Sequence, residues 1–260
     1  MKIIDLSHTI FPEMPVYPGT KPPVFSIPCT IDQEGFVERE ITMYSHTGTH
    51  VDAPAHIIEG ALTLDQVPVD NFVGRASVLD LTLIRKPIIS LGDLKSCEAM
   101  VKKSEFLLLH TGWSQLWGKK DYYKGYPVLS PDAARWLGDF QLKGIGVDMI
   151  SVDEAEATDF PIHKILLGQN MIIIENLTHL EKLLLSDFTF MCLPLKIENS
   201  DGSPVNWGEM KRVCELDVCK LAEALSGMVW HGFDKWNISF QMRSKGIKSN
   251  ERLRCKGGKI

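Results

Sequence analysis

The sequence predicts a domain of mixed α and β structure over residues 1–206, of the α+β or mixed α/β class. Short apolar runs of strand length outnumber the helix candidates there, and a hydrophobic content of 44 % over 260 residues is enough for a sizeable core. The balance of charge changes sign near Val205. We therefore interpret residues 207–260 as an atypical basic C-terminal extension.

Five apolar, β-branched runs bounded by turn residues predict the strands of this domain. They are Ala76–Leu81, Phe106–His110, Ile145–Met149, Met171–Ile174 and Phe188–Leu195. The clearest helix start is Ser130-Pro131-Asp132, which offers an N-cap, a proline at the first helical position and an early carboxylate before Ala133–Phe140. A second helix is predicted over Asp93–Lys103, and the proline-rich start predicts extended arms and turns.

The extension differs from the rest of the chain in charge. It holds 11 Lys/Arg and 6 Asp/Glu, a net of +5, whereas the first 206 residues hold 17 basic and 27 acidic residues, a net of −10. Gly208–Met228 is a candidate amphipathic helix, and the final residues are polar. We expect the extension to pack weakly on the domain and to supply no ligand or catalytic group.

Composition argues against several classes of protein. A net charge of −5 and a pI near 5.9 argue against an electrostatic nucleic-acid binder. No stretch approaches the roughly 18 apolar residues of a membrane span, and the start MKIIDLSHTI lacks the apolar region of a secretory signal. Six cysteines without CxxC spacing predict neither a zinc ribbon nor a disulfide framework. We expect a cytoplasmic protein without nucleic-acid or membrane partners.

The densest functional signal is SHTGTHVDAPAH at residues 45–56, which holds three of the eight histidines. In a flat strand the Cα atoms of His46 and His50 would lie about 13 Å apart. Both imidazoles could not then easily bond one ion at about 2.0–2.1 Å. The intervening residues are poor helix formers. We therefore predict a backbone bend at Gly48, which lets the segment wrap a metal ion.

His46, His50 and Asp52 offer nitrogen and oxygen ligands without a thiolate. This set favours Zn²⁺ or Mn²⁺ with open water positions over a closed structural zinc site. His56 lies two residues past Pro54 and is a weaker candidate for a general acid or base. A supporting or surface position is the alternative for His56.

His163 and Glu175 form a second candidate patch. Glu175 directly follows the apolar run MIII, and a buried carboxylate is costly unless it is paired or binds a metal. A solvent-exposed strand end is the alternative for Glu175, and an ordinary loop position is the alternative for His163.

Seven stretches share the pattern of one known family. They are DLSHTIFPEMPVYPG near the start, HTGTHVDAPAH at 46–56, LLLHTGW at 107–113, GVDMISVD at 146–153, FPIHKILL at 160–167, IIENL at 173–177 and LPLKI at 193–197. From residue 1 to about Val205 the chain resembles the bacterial metal-dependent cyclase and kynurenine formamidase family. The resemblance implies a single mixed α/β domain with a central β core (a cyclase-like swivelling β/β/α fold) and a homodimer or homotetramer.

Carried over residue by residue, the resemblance implies that His46, His50 and Asp52 bind metal, with Asp52 bridging when two ions are present. His163 and Glu175 complete the second metal position. His56 matches a histidine that transfers protons.

The activity implied is hydrolysis of the amide bond of a small-molecule substrate. The substrate would be a formamide or small cyclic amide resembling N-formylkynurenine, and one or two Zn²⁺ or Mn²⁺ ions would activate the attacking water. A metal-dependent cyclase and a non-catalytic metal-binding protein of the same fold are the alternatives. The chain departs from the family pattern at Thr20, where YPG is usually followed by Asp, and beyond Val205.

Overall fold

The computed structural model describes residues 3–84, 86–184, 186, 188–205, 208–210, 228–234 and 237–242. The chain divides into two compact units, residues 1–211 and residues 212–260. In the second unit the described residues form an antiparallel hairpin of Met228–Asp234 with Asn237–Met242. None of the helices in the described ranges has the length and apolar character needed to cross a membrane.

The strands of the first unit are β1 Val24–Cys29, β2 Glu38–Thr42, β3 His50–Asp52, β4 Val73–Asp80, β5 Ile88–Ile89, β6 Phe106–His110, β7 Val128–Leu129, β8 Gly144–Val147, β9 Ile172–Glu175, β10 Phe188–Met191, β11 Gly202–Pro204 and β12 Gly208–Met210. Its α-helices are α1 Ile31–Glu34, α2 Leu91–Lys95, α3 Glu98–Val101, α4 Pro131–Gly138 and α5 Pro161–Leu167. Short 3₁₀ helices cover Pro54–His56, Val69–Phe72, Trp113–Leu116, Lys120–Tyr123 and Leu180–Leu183.

An eight-stranded mixed sheet is the centre of the first unit, with strand order β11-β3-β9-β8-β6-β4-β10-β12. The four middle strands, β9, β8, β6 and β4, are parallel. Strands at both edges run antiparallel to their neighbours. The mixed α/β class with a central β core is therefore confirmed.

The middle strands are apolar on both faces because each face of the sheet is covered. In β6, Leu107 and Leu109 pack into one hydrophobic cluster with Leu137 of α4 and Leu166 of α5. Phe106 and Leu108 point into a second cluster on the other face. Continuous apolar runs are typical of parallel strands buried on both faces.

The predicted strands are confirmed, with shifted ends. Phe106–His110 forms as predicted, whereas the strand predicted over Phe188–Leu195 ends at Met191. The helix start at Ser130 is also confirmed, since its Oγ accepts a hydrogen bond of 3.2 Å from the backbone N–H of Ala133.

Two helix predictions were wrong in part. The Asp93–Lys103 helix is broken into α2 and α3, because Cys97 leaves the helical conformation at φ −101° and ψ 9°. The segment Gly208–Met228 is not helical at either end. It begins as β12, which pairs with β10, and Met228 opens the hairpin of the second unit; residues 211–227 lie outside the described residues.

The proline-rich start forms an arm against the sheet. The backbone O of Leu6 accepts from the N–H of Thr178, and the N–H of His8 donates to Thr49 Oγ1 at 2.9 Å. The ring of His8 stacks on Trp117 at 3.9 Å between centroids. The arm therefore contacts the segment that holds the histidine cluster.

His8 gives a test of the pH dependence of stability. Burial and the charge of His179 lower its pKa to about 4, against a smaller opposing effect of Asp5. The folded protein therefore binds fewer protons than the unfolded chain, and stability falls as pH drops from about 6.5 towards 4. His8→Phe keeps a ring on Trp117 and removes this titration.

Urea unfolding at pH 7 and pH 4.5 measures the effect. Between these values wild type should lose about 1–2 kcal/mol more of its free energy of unfolding than His8→Phe, after allowance for solvent screening of a half-buried group. Equal losses in the two proteins would contradict the assignment.

Candidate metal centre

The backbone bends where the sequence predicts. Gly48 has φ +69°, in the left-handed region that glycine adopts most readily. The bend brings the rings of His46 and His50 to 5.1 Å between centroids. The chain then runs extended through β3 and turns at Pro54 into a 3₁₀ helix.

Asp52 lies at the centre of the cluster and is completely buried. Its Oδ1 lies 2.7 Å from His46 Nδ1 and 3.3 Å from His50 Nε2. Its Oδ2 lies 3.7 Å from His163 Nε2 and has no hydrogen-bond partner among the described residues. One carboxylate therefore faces three imidazoles, with one oxygen left for a further partner.

Strand pairing brings Glu175 to this carboxylate. In the antiparallel pair β3–β9, Glu175 lies opposite His50. Its Oε2 is 3.5 Å from His50 Nε2, and its Oε1 is 3.4 Å from His163 Nε2. The N–H of Val152 donates to the same Oε1 at 3.0 Å. The carboxylate is buried and aimed into the cluster, so the solvent-exposed alternative for Glu175 was wrong.

His163 reaches the cluster from the first turn of α5. Asp153 accepts hydrogen bonds from the N–H groups of Ile162 and His163 and from His163 Nδ1, the last at 2.7 Å. His163 Nε2 then faces Asp52 and Glu175. Because Asp153 fixes one ring nitrogen, the other is oriented toward the carboxylates.

The donor set fits a divalent metal ion. Among the described residues, ligand atoms of His46, His50 and Asp52 lie within 4.8 Å of one another, and so do those of Asp52, His163 and Glu175. Asp52 belongs to both groups and has an unpartnered buried oxygen. Imidazole and carboxylate donors without thiolate form a ligand set for a divalent metal ion. The structure thus brings all five predicted ligands together.

The buried charges of the site shift the pKa values of one another. Burial opposes ionisation of His46, but the carboxylates of Asp52 and Asp201 outweigh it and raise the pKa of His46 to about 10. Burial likewise opposes ionisation of Asp52, yet the charges of His46 and His50 hold the pKa of Asp52 well below its usual value. His163 behaves like His46, and Asp153 and Glu175 raise its pKa to about 10. A metal ion must therefore displace protons from these nitrogens.

His56 belongs to neither of the two groups that share Asp52. Among the described residues its ligand atom instead lies within 4.8 Å of those of His46 and Asp201, which form a third group with it. Its ring is 4.0 Å from that of His46 and 5.8 Å from that of His163, between centroids. Its Nδ1 lies 3.3 Å from Asp201 Oδ2. Burial, with the charges of His46 and His163, lowers the pKa of His56, against the opposing effects of Asp52 and Asp201.

A cavity of about 340 Å³ opens onto the cluster. The polar side chains of its lining include five of the predicted site residues, His46, His50, His56, His163 and Glu175. The lining also includes apolar and aromatic side chains, among them Tyr17, Ile150 and Phe160. Thr20, where the chain departs from the family pattern, also lines this cavity.

Two carboxylates of the site have roles that the sequence did not reveal. Asp153 lies in GVDMISVD, and Asp201 directly precedes Gly202. Both contact site histidines in the structure. Their only sequence signal was the family pattern around them, which gives no role to either residue.

Gly48 gives a test of the bend. An added Cβ would lie 3.2 Å from Ile10 Cγ1 and 3.3 Å from Met14 Cε, at a φ unfavourable for alanine. Gly48→Ala should lower the free energy of unfolding by about 1–2 kcal/mol and weaken metal binding by about tenfold or more, since His46 and His50 are displaced. Gly125→Ala is the matched control, with φ +79° and open space around it.

Urea unfolding and metal titration of both variants check this expectation. The control should lose comparable stability and keep its metal affinity. Wild-type metal affinity in Gly48→Ala would show that the bend does not position the ligands.

The Cyclase family model, described as "Putative cyclase", matches residues 4–154. A kynurenine formamidase from Bacillus cytotoxicus is 30 % identical over 205 residues, covering 78 % of this chain and 94 % of the relative.

Solved structures of the same shape have related descriptions. One is described as a potential metal-dependent hydrolase with cyclase activity and is 30 % identical, with a TM-score of 0.66. The match covers 80 % of this chain and 96 % of the chain in that structure. Isatin hydrolase A from Labrenzia aggregata, bound to benzyl benzoate, is 25 % identical, with a TM-score of 0.72. The match covers 80 % of this chain and 93 % of the isatin hydrolase chain. Since the family match spans more than half of the sequence, the chain belongs to the Cyclase family.

Proposed function

We propose that this protein is a metal-dependent amidohydrolase that cleaves the C–N bond of a formamide or a small cyclic amide. The observation that carries the proposal is the position of Asp52 between two groups of metal-ligating side chains, beside His56 and the cavity. Relatives described as a kynurenine formamidase and an isatin hydrolase support this reaction class. N-formylkynurenine is the first substrate to test.

His46, His50 and Asp52 would hold one divalent ion, and Asp52, His163 and Glu175 would hold a second. Zn²⁺ or Mn²⁺ bound there supplies Lewis acidity, which polarises the amide carbonyl and lowers the pKa of a water. Asp52 and Glu175 are buried, so they balance positive charge where solvent cannot. The ligand atoms are held by Gly48, Asp153 and the β3–β9 pairing before substrate enters.

His56 is the group that moves protons in this proposal. Its Nδ1 faces Asp201, and no hydrogen bond to its other ring nitrogen is found among the described residues. That nitrogen can take a proton from the attacking water and deliver it to the leaving amine nitrogen. A pKa lowered by burial keeps a neutral, basic form of His56 available at neutral pH.

The cavity fits an aryl or other partly apolar amide. Tyr17, Ile150 and Phe160 line it together with the polar cluster. Such mixed pockets bury an apolar body while a few polar groups orient the reacting bond. Phe160 lines this cavity and is also the N-cap of α5, where its backbone lies in the left-handed region at φ 47°. One residue therefore supplies an aromatic wall and begins the helix that carries His163.

A substrate screen tests the proposal. Protein loaded with Zn²⁺ or Mn²⁺ is assayed spectroscopically against N-formylkynurenine, cyclic imides and isatin, with the metal-stripped protein as control. Metal-dependent hydrolysis of at least one class is expected. If every class remains intact with fully loaded protein, the amidohydrolase assignment is wrong.

A homodimer or homotetramer is also proposed, with a second copy covering the β1–β2 ribbon. Among the described strands these two pair only with each other. Val24, Ile27 and Ile41 on the strands and Phe36 in the segment between them are more than half exposed. An isolated two-stranded ribbon is marginally stable in water. Light scattering should give a mass of at least twice 29.2 kDa, and Ile41→Glu should reduce it.

A cytoplasmic location is part of the proposal as well. Cys29, Cys97 and Cys192, the cysteines within the described ranges, are free. Free thiols are compatible with a reducing compartment.

A further inference from the structure

Asp201 contacts two histidines of the site through a single oxygen. Its Oδ2 lies 2.9 Å from His46 Nε2 and 3.3 Å from His56 Nδ1. Its other oxygen, Oδ1, accepts a hydrogen bond of 3.0 Å from Ser45 Oγ. The carboxylate therefore joins a metal-ligating histidine to the proton-transfer histidine.

The backbone around Asp201 is built against these histidines. The carbonyl oxygen of Asp201 accepts from the N–H of Ala53 at 2.8 Å, which continues the pairing of β11 with β3. A Cβ on Gly202 would lie 2.5 Å from Cε1 of the His46 ring. Only glycine at 202 leaves room for that ring, so the segment holds Asp201 and His46 in contact.

The geometry at His46 is that of a ligand oriented by a carboxylate. Its Nδ1 faces Asp52, and its Nε2 faces Asp201. A carboxylate on the far nitrogen of a ligating histidine fixes its tautomer and ring orientation and raises its basicity. Asp201 therefore leaves Nδ1 as the nitrogen for the metal.

The same argument applies to His56. A general base needs its second nitrogen held by an orienting group, so that the reacting nitrogen faces the substrate. With Nδ1–H donated to Asp201, the free nitrogen of His56 is the one that exchanges protons. Ser45 limits rotation of the carboxylate that serves both rings.

We propose that Asp201 is a positioning residue that orients His46 for metal binding and His56 for proton transfer at once. This inference rests on the proposed function for its kinetic part, and its metal-binding part stands without it. An asparagine side chain has one acceptor oxygen and cannot accept from Ser45, His46 and His56 in the same way, so Asp201→Asn is the informative variant.

The first measurement is Zn²⁺ affinity by competition with a chromogenic chelator, on the full chain. Asp201→Asn should bind Zn²⁺ about 10–100-fold more weakly than wild type, the usual effect of removing a partner of a ligating histidine. Asp132→Asn is the matched control, since Asp132 is an exposed carboxylate paired with Arg135 on α4. Circular dichroism should show the same fold in both variants.

The second measurement is a double-mutant cycle with His56→Ala at saturating Zn²⁺, using N-formylkynurenine. Asp201→Asn alone should lower kcat by about 10–100-fold with KM changed less than threefold. In the His56→Ala background the same substitution should change kcat by less than threefold, because a residue that acts through His56 has no further effect without it.

The outcomes separate this inference from the proposed function. If wild type binds Zn²⁺ but does not hydrolyse the substrate, the proposed function fails for that substrate, and the affinity measurement decides the role of Asp201 at His46. Zn²⁺ affinity equal to that of Asp132→Asn would overturn the positioning of His46. An equal loss of kcat with and without His56 would overturn the positioning of His56.

Discussion

Asp52→Ala is expected to abolish metal binding and, with it, turnover. Asp52 belongs to both groups of ligating side chains, and its Oδ1 and Oδ2 face different histidines. Loss of a residue that supports a ligand typically weakens metal binding by about 10–100-fold. Loss of Asp52 should weaken it by more than this. Elemental analysis after dialysis against Zn²⁺ or Mn²⁺ measures the effect.

Two further variants make the result specific. Asp132→Ala, which removes an exposed carboxylate, should keep full metal content. Glu175→Gln should remove only the ion held with Asp52 and His163, so a protein that binds two ions should retain one. Full metal content in Asp52→Ala with a native circular dichroism spectrum would refute the metal centre.

His56→Ala is expected to lower kcat by about 10²–10⁴, the usual contribution of general acid–base catalysis. His56 lines the cavity but lies outside both groups of ligating side chains that contain Asp52. Metal content should therefore stay at the wild-type level while proton transfer is lost. Steady-state kinetics with N-formylkynurenine, together with elemental analysis, separates the two effects.

His179→Ala is the control for removal of a histidine. His179 is exposed and lies 3.7 Å from Glu181, so kcat should not change. Loss of metal in His56→Ala would make His56 a ligand of the His46 and Asp201 group, and an unchanged kcat would remove it from catalysis.

Local sequence determined the first half of the site. His46, His50 and Asp52 lie within seven residues. The glycine between the histidines takes the positive φ with which their rings approach each other. Short-range spacing and backbone preference decide such a feature, so it can be inferred without a fold. The apolar strand β6 and the N-cap at Ser130 were predictable for the same reason.

Local pattern was less reliable where tertiary contacts compete with it. A continuous helix over Asp93–Lys103 agrees with composition, but the chain forms two short helices that bury Leu94 and Val101 in the core. The strand predicted to reach Leu195 ends earlier, since Pro194 pairs outside the main strands with Val205. Packing set these boundaries.

The second half of the site was decided by the tertiary structure. Antiparallel register places Glu175 opposite His50, and β11 places Asp201 beside His46. These residues are more than a hundred positions from the first cluster, and their own neighbours in sequence give no metal-binding spacing. The family resemblance indicated Glu175 and His163 but not the roles of Asp153 and Asp201. The sequence by itself determined which residues can bind a metal, whereas strand pairing determined which of them meet. The physical reason is that burial of Asp52 and Glu175 is stable only where opposite charges converge on them.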